Sequence, residues 1–359
     1  MLAVTIRAHG GPEQVLIDDV PRPAAPGPRD VVVALQAAAL NHLDLFVLGG
    51  LPGVPRVFPH VLGADGAGLV EAVGAGVTAV GPGDRVVLNP GLSCHACAYC
   101  AAGEHSLCPT FRLLGEHVGG TFAEAITVPE TNVAVVPATV SWVDAAAFPL
   151  TFLTAWRMVV TRAAVRPGET VLIWGIGGGV ALAALAIAKQ RGARVVVTSS
   201  SDAKLERARS LGADATLNHA TADVPREVRA LTGTGGADVV VETVGEATWD
   251  RSLRALAKGG RLVTCGATTG PSVGVDVRRL FWNQYALMGS TMGNEAEFRQ
   301  VVGLLADGTL RPVVDSVVPV REARAAFERM ASGRQFGKLV LDIAATSAVG
   351  GPSWSSSTV

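Results

Sequence analysis

Four of the five cysteines, Cys94, Cys97, Cys100 and Cys108, fall within fifteen residues. Their loop also carries Gly91, Ser93, Gly103 and Pro109. Four thiolates can close a tetrahedral shell around one zinc ion with no open position, which is the arrangement of a structural site. Short Cys-x2-Cys-x2-Cys runs also serve iron–sulfur clusters, but the wider fourth spacing favours a single structural zinc. Such an ion cannot polarise a substrate; its expected work is to fix a lobe that has no core of its own. His95 and His105 lie inside the same lobe as spare ligands. Cys265 stands apart at the end of an apolar run and reads as a small buried residue rather than a nucleophile.

A second group of residues has the chemistry of phosphate binding. Thr170–Trp174 reads as a strand, Gly175-Ile-Gly-Gly-Gly-Val-Ala181 as a tight turn, Leu182–Gln190 as a helix and Arg194–Thr198 as the next strand. That order supplies the βαβ context a bare glycine motif lacks. Gly175 permits the sharp turn, Gly178 lets the backbone approach a pyrophosphate, and Ala181 allows close helix–strand packing. Gly177, Gly179 and Val180 complete the expected cradle at the helix N-terminus. The second strand leaves through Ser199, Ser200 and Ser201, with Lys204 and Arg207 beyond, where an NAD-binding chain carries an acidic residue. Hydroxyls and cations can surround a 2′-phosphate, so NADPH is the expected cofactor, with NADH second because Asp202 is near.

These groups need a scaffold, and 359 residues exceed what one hydrophobic core usually holds. Residues 1–137 carry short valine-rich runs such as Asp30–Leu35, Gly68–Val73 and Arg85–Leu88, the rhythm of a β-rich domain. From Trp142 onward strands and longer helices alternate, as βαβ units do, with further buried strands expected at Asp238–Glu242 and Arg261–Cys265. A helix is expected around Glu295–Asp307, then a strand at Val313–Val318, a helix at Arg321–Ala331 and a strand at Gly337–Ile343. Residues 346–359 lack periodicity and are expected to form a mobile tail.

Composition closes off other classes. A net charge of −1 with no basic run argues against nucleic acid and anionic membranes as partners. The longest apolar stretch, Val180–Ala188, is too short to span a bilayer. The N-terminus lacks the pattern of a secretory signal, and clustered thiols suit a reducing compartment, so the expected localisation is cytoplasmic.

With the cysteine lobe, the glycine turn, Ser-Leu-Gly-Ala-Asp at 210–214 and Phe336-Gly-Lys-Leu-Val-Leu341 in this order, the chain resembles the medium-chain dehydrogenase/reductase superfamily, which includes zinc alcohol dehydrogenases and quinone oxidoreductases. The resemblance covers about residues 1–343. It implies an α/β fold with a GroES-like β-barrel catalytic domain, residues 1–137 and 293–345, and a Rossmann doubly wound parallel-sheet domain, residues 138–292, with the active site between them. It also implies a small-molecule substrate and a homodimer or homotetramer joined through an edge strand like Leu287–Ser290. Further cofactor contacts carried over by likeness are Thr154 near the nicotinamide, Val244, Gly245, Gly266, Ala267, Phe281, Met292 and Gly293.

The resemblance breaks where alcohol dehydrogenases hold catalytic zinc with a cysteine, a histidine and a further ligand, because the matching positions here look like Asn41, Ala64 and Leu150. Asn41-His-Leu-Asp44 is similar instead to the Asn-x-x-Asp segment of zinc-free quinone oxidoreductases, whose following tyrosines are replaced here by Phe46 and Pro52. The expected catalytic group is therefore Asn41, its amide donating to a carbonyl oxygen, with His42 as a candidate proton shuttle and Asp44 as an orienting carboxylate. Without a Lewis acid, a conjugated acceptor is easier to reduce than an isolated ketone, since charge delocalises to an oxygen that hydrogen bonds can hold. The expected reaction is NADPH-dependent reduction of a quinone or an α,β-unsaturated carbonyl. A zinc-independent alcohol dehydrogenase or carbonyl reductase is the first alternative, and a non-catalytic NADPH-sensing protein the second.

Overall fold

The structure, a computed structural model, describes residues 1–233 and 235–344. The tail expected at 346–359 lies outside the described residues. Among those described, no helix is long and apolar enough to cross a membrane.

Six parallel strands form one sheet in the spatial order Ala215–Asn218, Arg194–Ser199, Thr170–Ile173, Ala237–Glu242, Leu256–Thr264 and Ala286–Gly289. In chain order this is 3-2-1-4-5-6, the doubly wound arrangement in which the winding reverses beside the first strand and leaves a crevice there. Valine-rich runs such as Arg194–Ser199 are buried on both faces because helices cover both sides. The helix after the glycine turn begins at Gly179, three residues before Leu182, since Gly179, Val180 and Ala181 open its first turn. The fifth strand is longer than its apolar run suggests, because Lys258, Gly259 and Gly260 continue its backbone past the buried part.

The other sheet runs Val133–Val135, Arg85–Leu88, Asp65–Val73, Asp30–Ala39, Lys338–Asp342 and Val314–Pro319, with Ala125–Pro129 also paired to Asp30–Ala39. It is antiparallel except for its last two strands, which pair in parallel. The C-terminal strand thus returns to the N-terminal region, inserted beside Asp30–Ala39. That register places Val340 opposite Ala39, while Ala39 faces Asp65 on its other side.

The helix Trp142–Ala147 packs on the antiparallel sheet, against the strands Asp30–Ala39 and Asp65–Val73, although it follows the expected boundary at residue 137. The next helix, Pro149–Trp156, packs on Gly179–Gln190. One buried cluster therefore runs from Ala37, Ala39 and Ala64 through Phe148 and Phe152 to Val171 and Ile173, joining the two sheets. At about 25 cal/mol per Å² of apolar surface removed from water, a shared core of this kind resists separation of the sheets. The crevice lies above this junction.

Candidate functional site

The glycine turn is built by conformation as much as by size. Gly175 and Gly177 take φ of +66° and +119°, values that side chains rarely adopt. Gly178 is the N-cap of the helix Gly179–Gln190 and offers no side-chain cap, so the first N–H groups of that helix are left for a ligand. A Cβ at Gly178 would meet nothing closer than the Gly175 carbonyl at 3.8 Å, which leaves the space above it for a phosphate. At Gly179 a Cβ would lie 2.7 Å from Thr151 and 3.2 Å from the Lys338 stem. Small residues here keep both the phosphate and the neighbouring chain close.

A cleft of about 510 Å³ runs from this turn between the two sheets. Gly175, Gly177, Gly178, Gly179 and Val180 line it, as do Ser199, Ser200 and Lys204 at one end. Thr154, Val244, Gly266 and Met292 line its middle, and Asn41 and His42 its far end. The Thr154 hydroxyl donates to the Met292 sulfur at 3.6 Å. Gly245 and Ala267 line an adjoining recess that shares Gly266 with the cleft.

Three expected site residues lie elsewhere. Asp44 is buried beneath the cleft wall. Gly293 packs against Leu153 and Glu297, where a Cβ would clash at 2.4 and 2.8 Å. Phe281 is 62% exposed on the outer helix Val277–Trp282 and does not line the cleft. The resemblance carried Phe281 over as part of the segment around the dimer edge strand; here the helix Val277–Trp282 leaves Phe281 and Trp282 exposed.

At the serine end, Ser201 caps the helix Asp202–Ser210 by accepting from the Lys204 N–H. The Lys204 ammonium donates to the Gly333 carbonyl at 2.6 Å, and burial holds its pKa below the usual lysine value. Arg207 stacks over the Phe336 ring at 4.1 Å. Asp202, the nearby carboxylate, is held by the Asn218 amide at 2.8 Å. The end of the second strand thus presents hydroxyls and cations, with Asp202 hydrogen-bonded to Asn218.

The far end differs most from expectation. Lys338, 4% exposed, donates from Nζ to Asn41 Oδ1 at 2.5 Å and to Asp65 Oδ2 at 2.8 Å. Asn41 Nδ2 donates to the same Asp65 oxygen at 2.9 Å and to the Ala39 carbonyl at 3.4 Å. Asp65 Oδ1 accepts from the Leu150 N–H at 2.8 Å. Both amide hydrogens of Asn41 are therefore spent inside the protein, and the donation to substrate expected of it is replaced by a structural role. The donor left over on the cleft wall is the third N–H of Lys338.

Asp44 closes the cluster from below. Its Oδ2 accepts from the Asn41 N–H at 2.7 Å, completing a capping box at the start of the helix His42–Gly49. Burial pushes its pKa up to about 7, against the pull of the Asn41 N–H and the Lys338 charge and with a further push from Asp65. His42 lines the cleft edge-on to Phe46, where desolvation by the surrounding walls lowers its pKa from the usual histidine value. Ala64 and Leu150, the other two positions matched to zinc ligands, have no donor side chain, and Asp65 is already paired with Lys338, the Asn41 amide and the Leu150 N–H. This donor set does not fit a catalytic metal ion.

The cysteine lobe does fit one. Cys97 and Cys100 sulfurs lie 3.5 Å apart, Cys94 and Cys108 3.5 Å, and Cys94 and Cys100 3.9 Å. Tetrahedral zinc with bonds of roughly 2.3 Å needs sulfur–sulfur edges of about 3.8 Å. Backbone N–H groups of Cys94, Ala96 and Cys100 donate to the Cys108, Cys94 and Cys97 sulfurs, while burial pushes the Cys100 thiol up to about 11. The Thr110 hydroxyl, with the Cys94 N–H, draws the Cys108 thiol down to about 6. Arg157, buried between Glu104 of the lobe and Glu297, ties this unit to the cleft wall.

Asp65 and Lys338 are the site residues that motif reading passed over. Their signal in the sequence is a lone charge in a run that is otherwise buried: Asp65 in Leu62–Val70 and Lys338 in Phe336–Leu341. A charge placed in a core-bound strand needs a partner of opposite sign. His219 also lines the cleft, with Nδ1 3.2 Å from the Thr198 hydroxyl.

Comparison with known proteins places this geometry in context. The family model described as zinc-binding dehydrogenase matches residues 179–307, and that described as alcohol dehydrogenase GroES-like domain matches residues 27–138. An alcohol dehydrogenase of Schizosaccharomyces pombe is 31% identical over 344 residues, covering 95% of this chain and 97% of the relative. The acryloyl-coenzyme A reductase of Metallosphaera sedula is 32% identical over 347 residues, covering 95% of this chain and 99% of its own. Among solved structures, an NAD-dependent alcohol dehydrogenase is similar with a TM-score of 0.91 and 48% identity, covering 96% of this chain and 100% of that one.

Proposed function

This chain is an oxidoreductase of the medium-chain dehydrogenase/reductase superfamily, and from that premise we propose that it reduces a quinone, or the activated carbon–carbon double bond of an α,β-unsaturated carbonyl compound, with NADPH and without a catalytic metal. The observation that carries this reading is the Asn41–Asp65–Lys338 cluster, an ion-paired lysine where a catalytic metal would need ligands. The likeness to an acryloyl-coenzyme A reductase supports the same class of acceptor.

Bound in the cleft, the nicotinamide supplies a hydride. The glycine turn and the helix N-terminus at Gly179 hold the pyrophosphate, and Ser199, Ser200, Lys204 and Arg207 receive the 2′-phosphate. Leu43, Phe46, Leu113 and Leu150 give the far end an apolar lining that excludes water and suits a flat conjugated acceptor. Lys338 places positive charge and one N–H on the wall where negative charge builds on the acceptor oxygen. Asn41 and Asp65 orient that ammonium, and water supplies the proton to carbon. In the lobe, Cys94, Cys97, Cys100 and Cys108 hold one structural zinc, whose role is to fix the lobe.

The 48% identity to an NAD-dependent alcohol dehydrogenase favours a second reading, a metal-independent alcohol dehydrogenase or carbonyl reductase. Absorbance of the reduced nicotinamide separates the two: it falls as NADPH or NADH is oxidised by enones, enoyl thioesters, quinones or ketones, and rises as NADP+ or NAD+ is reduced by alcohols. Consumption confined to conjugated acceptors supports the proposal; turnover of simple ketones or alcohols with conjugated acceptors inert would replace it. We also infer self-association of this cytoplasmic enzyme through the edge strand Ala286–Gly289, beside which Phe281 and Trp282 stand exposed.

A further inference from the structure

Two histidines of the cysteine lobe remain once four thiols are assigned to zinc. His95 lies between Cys94 and Cys97, and His105 between Cys100 and Cys108, so the fold that gathers the sulfurs also fixes where these rings go. Both turn to the same side of the lobe and meet Glu295, the first residue of the helix Glu295–Ala306. His95 Nδ1 is 3.3 Å and His105 Nε2 3.7 Å from the same oxygen, Glu295 Oε1. One ligand atom from each of the three lies within 4.8 Å of the others.

The surroundings orient each group. Glu295 Oε2 is held by Arg299 at 3.0 Å, which turns Oε1 toward the histidines. His95 Nε2 faces the hydroxyls of Thr131 at 3.4 Å and Ser93 at 3.5 Å, acceptors for an Nε2–H that would leave Nδ1 bare to ligate. The two rings are 5.6 Å apart and tilted by 50°, so they converge edgewise rather than stack. His95 reaches this position through a backbone φ of +55°, which costs a non-glycine residue about 1 kcal/mol.

We propose that His95, His105 and Glu295 form a second divalent metal site, of the zinc class, that clamps the cysteine lobe to the helix Glu295–Ala306. Two imidazoles and a carboxylate are borderline ligands suited to zinc or cobalt(II), and three protein ligands leave a fourth position for water. Metal–ligand bonds of roughly 2.0 to 2.1 Å need ligand atoms about 3.3 Å apart. The His95–Glu295 pair is already at that spacing at 3.3 Å, His105–Glu295 is wider at 3.7 Å, and all three ligand atoms lie within 4.8 Å of one another. Ligation through His105 Nε2 needs the Nδ1–H tautomer and gives up the long Glu295 N–H contact at 3.5 Å, a bond at the limit of hydrogen-bond geometry. The site is remote in chemistry from the thiolates: they make a closed shell that holds the lobe together, and this one joins the lobe to the body of the protein.

The test is a metal titration of the full-length protein with zinc, counted by mass spectrometry after gel filtration, and with cobalt(II), followed by absorption. The expected result is two ions per chain in the wild type, falling to one in Glu295→Gln and in the double variant His95→Ala/His105→Ala. The second cobalt ion should add ligand-field absorption without adding the thiolate charge-transfer bands of the first. A wild type that takes a single ion at saturating zinc overturns the proposal. So does a second ion that binds equally to wild type and variants, which is an adventitious ion only. Should a variant fail to fold and lose both ions, the wild-type cobalt spectrum decides: a second equivalent that increases thiolate charge transfer rules the site out, and one that does not supports it.

Discussion

The cysteine lobe and the far end of the cleft both gather groups that cannot stay charged without company, and they solve the problem in opposite ways. In the lobe, four thiols gathered within fifteen residues make a ligand set for a metal cation. In the cleft, the buried carboxylate of Asp65 is met by the protein's own cation, Lys338, 273 residues away in the chain. The first unit is local and exchangeable, and the second is part of the sheet. On the proposed function, a metal would serve shape in the lobe while the ammonium that a strand brings to the cleft wall serves the chemistry.

The comparison breaks most visibly if metal is removed. A structural zinc contributes roughly 10 to 16 kcal/mol in small zinc-binding units, so chelation should unfold the lobe and expose residues 94–108 to limited proteolysis. The Asn41 end should keep its hydrogen bonds and nucleotide binding at first. Simultaneous loss of lobe and cleft, seen by tryptic mapping and NADPH fluorescence together, would show that the two regions are one unit.

Asp65→Ala has the next largest effect, since it strands a buried ammonium; a loss of about 3 to 5 kcal/mol is expected from denaturant midpoints. Adding Lys338→Met should recover part of that loss, because the unpaired charge is gone. Recovery that fails in the double variant would mean that the pair does not act as drawn.

Lys338→Met alone should lower turnover by about 100-fold, the effect of deleting a single donor at a developing oxyanion. Asn41→Asp keeps hydrogen-bond acceptors for Lys338, and its turnover should fall less than that of Lys338→Met, in keeping with Asn41 as a positioning residue. Equal kcat for Lys338→Met and wild type would remove the ammonium from the mechanism.

The smallest effect is one of pH. The Asp44 carboxyl is raised to about 7 by burial, with Asp65 adding to the rise and Lys338 and the Asn41 N–H opposing it. A protonated native Asp44 stabilises the fold below its unfolded pKa near 3.9. That contribution is lost as pH climbs toward about 7, with a slope of at most about 1.4 kcal/mol per pH unit. Asp44→Asn should flatten this part of the stability curve, measured by urea unfolding between pH 5 and 7; an unchanged slope would place the titration elsewhere.

The sequence alone carried the parallel sheet, the glycine turn and the thiol cluster, because each is written in neighbouring residues. Gly175 to Ala181 sit between a strand and a helix that follow one another, and the four cysteines share a loop. Phe281 shows the limit of reading by likeness: its segment is in the expected order, yet its helix faces solvent. The helix Trp142–Ala147 shows another, since its apolar face suits either sheet and only packing chose the antiparallel one.

What the sequence could not fix was the use of Asn41. Read in its own segment, it is an amide free to meet a substrate. The antiparallel register that sets Val340 opposite Ala39, and Ala39 opposite Asp65, brings Lys338 and Asp65 to the Asn41 amide and takes up both its hydrogens. Hydrogen-bond capacity is a property of the residue, but whether any of it is left for a ligand depends on neighbours that only strand pairing supplies. The sequence therefore determined that an oxidoreductase with a glycine-rich nucleotide turn and a metal-ready lobe would form; the tertiary structure decided that the charge on the far wall of the cleft belongs to a lysine in the last strand.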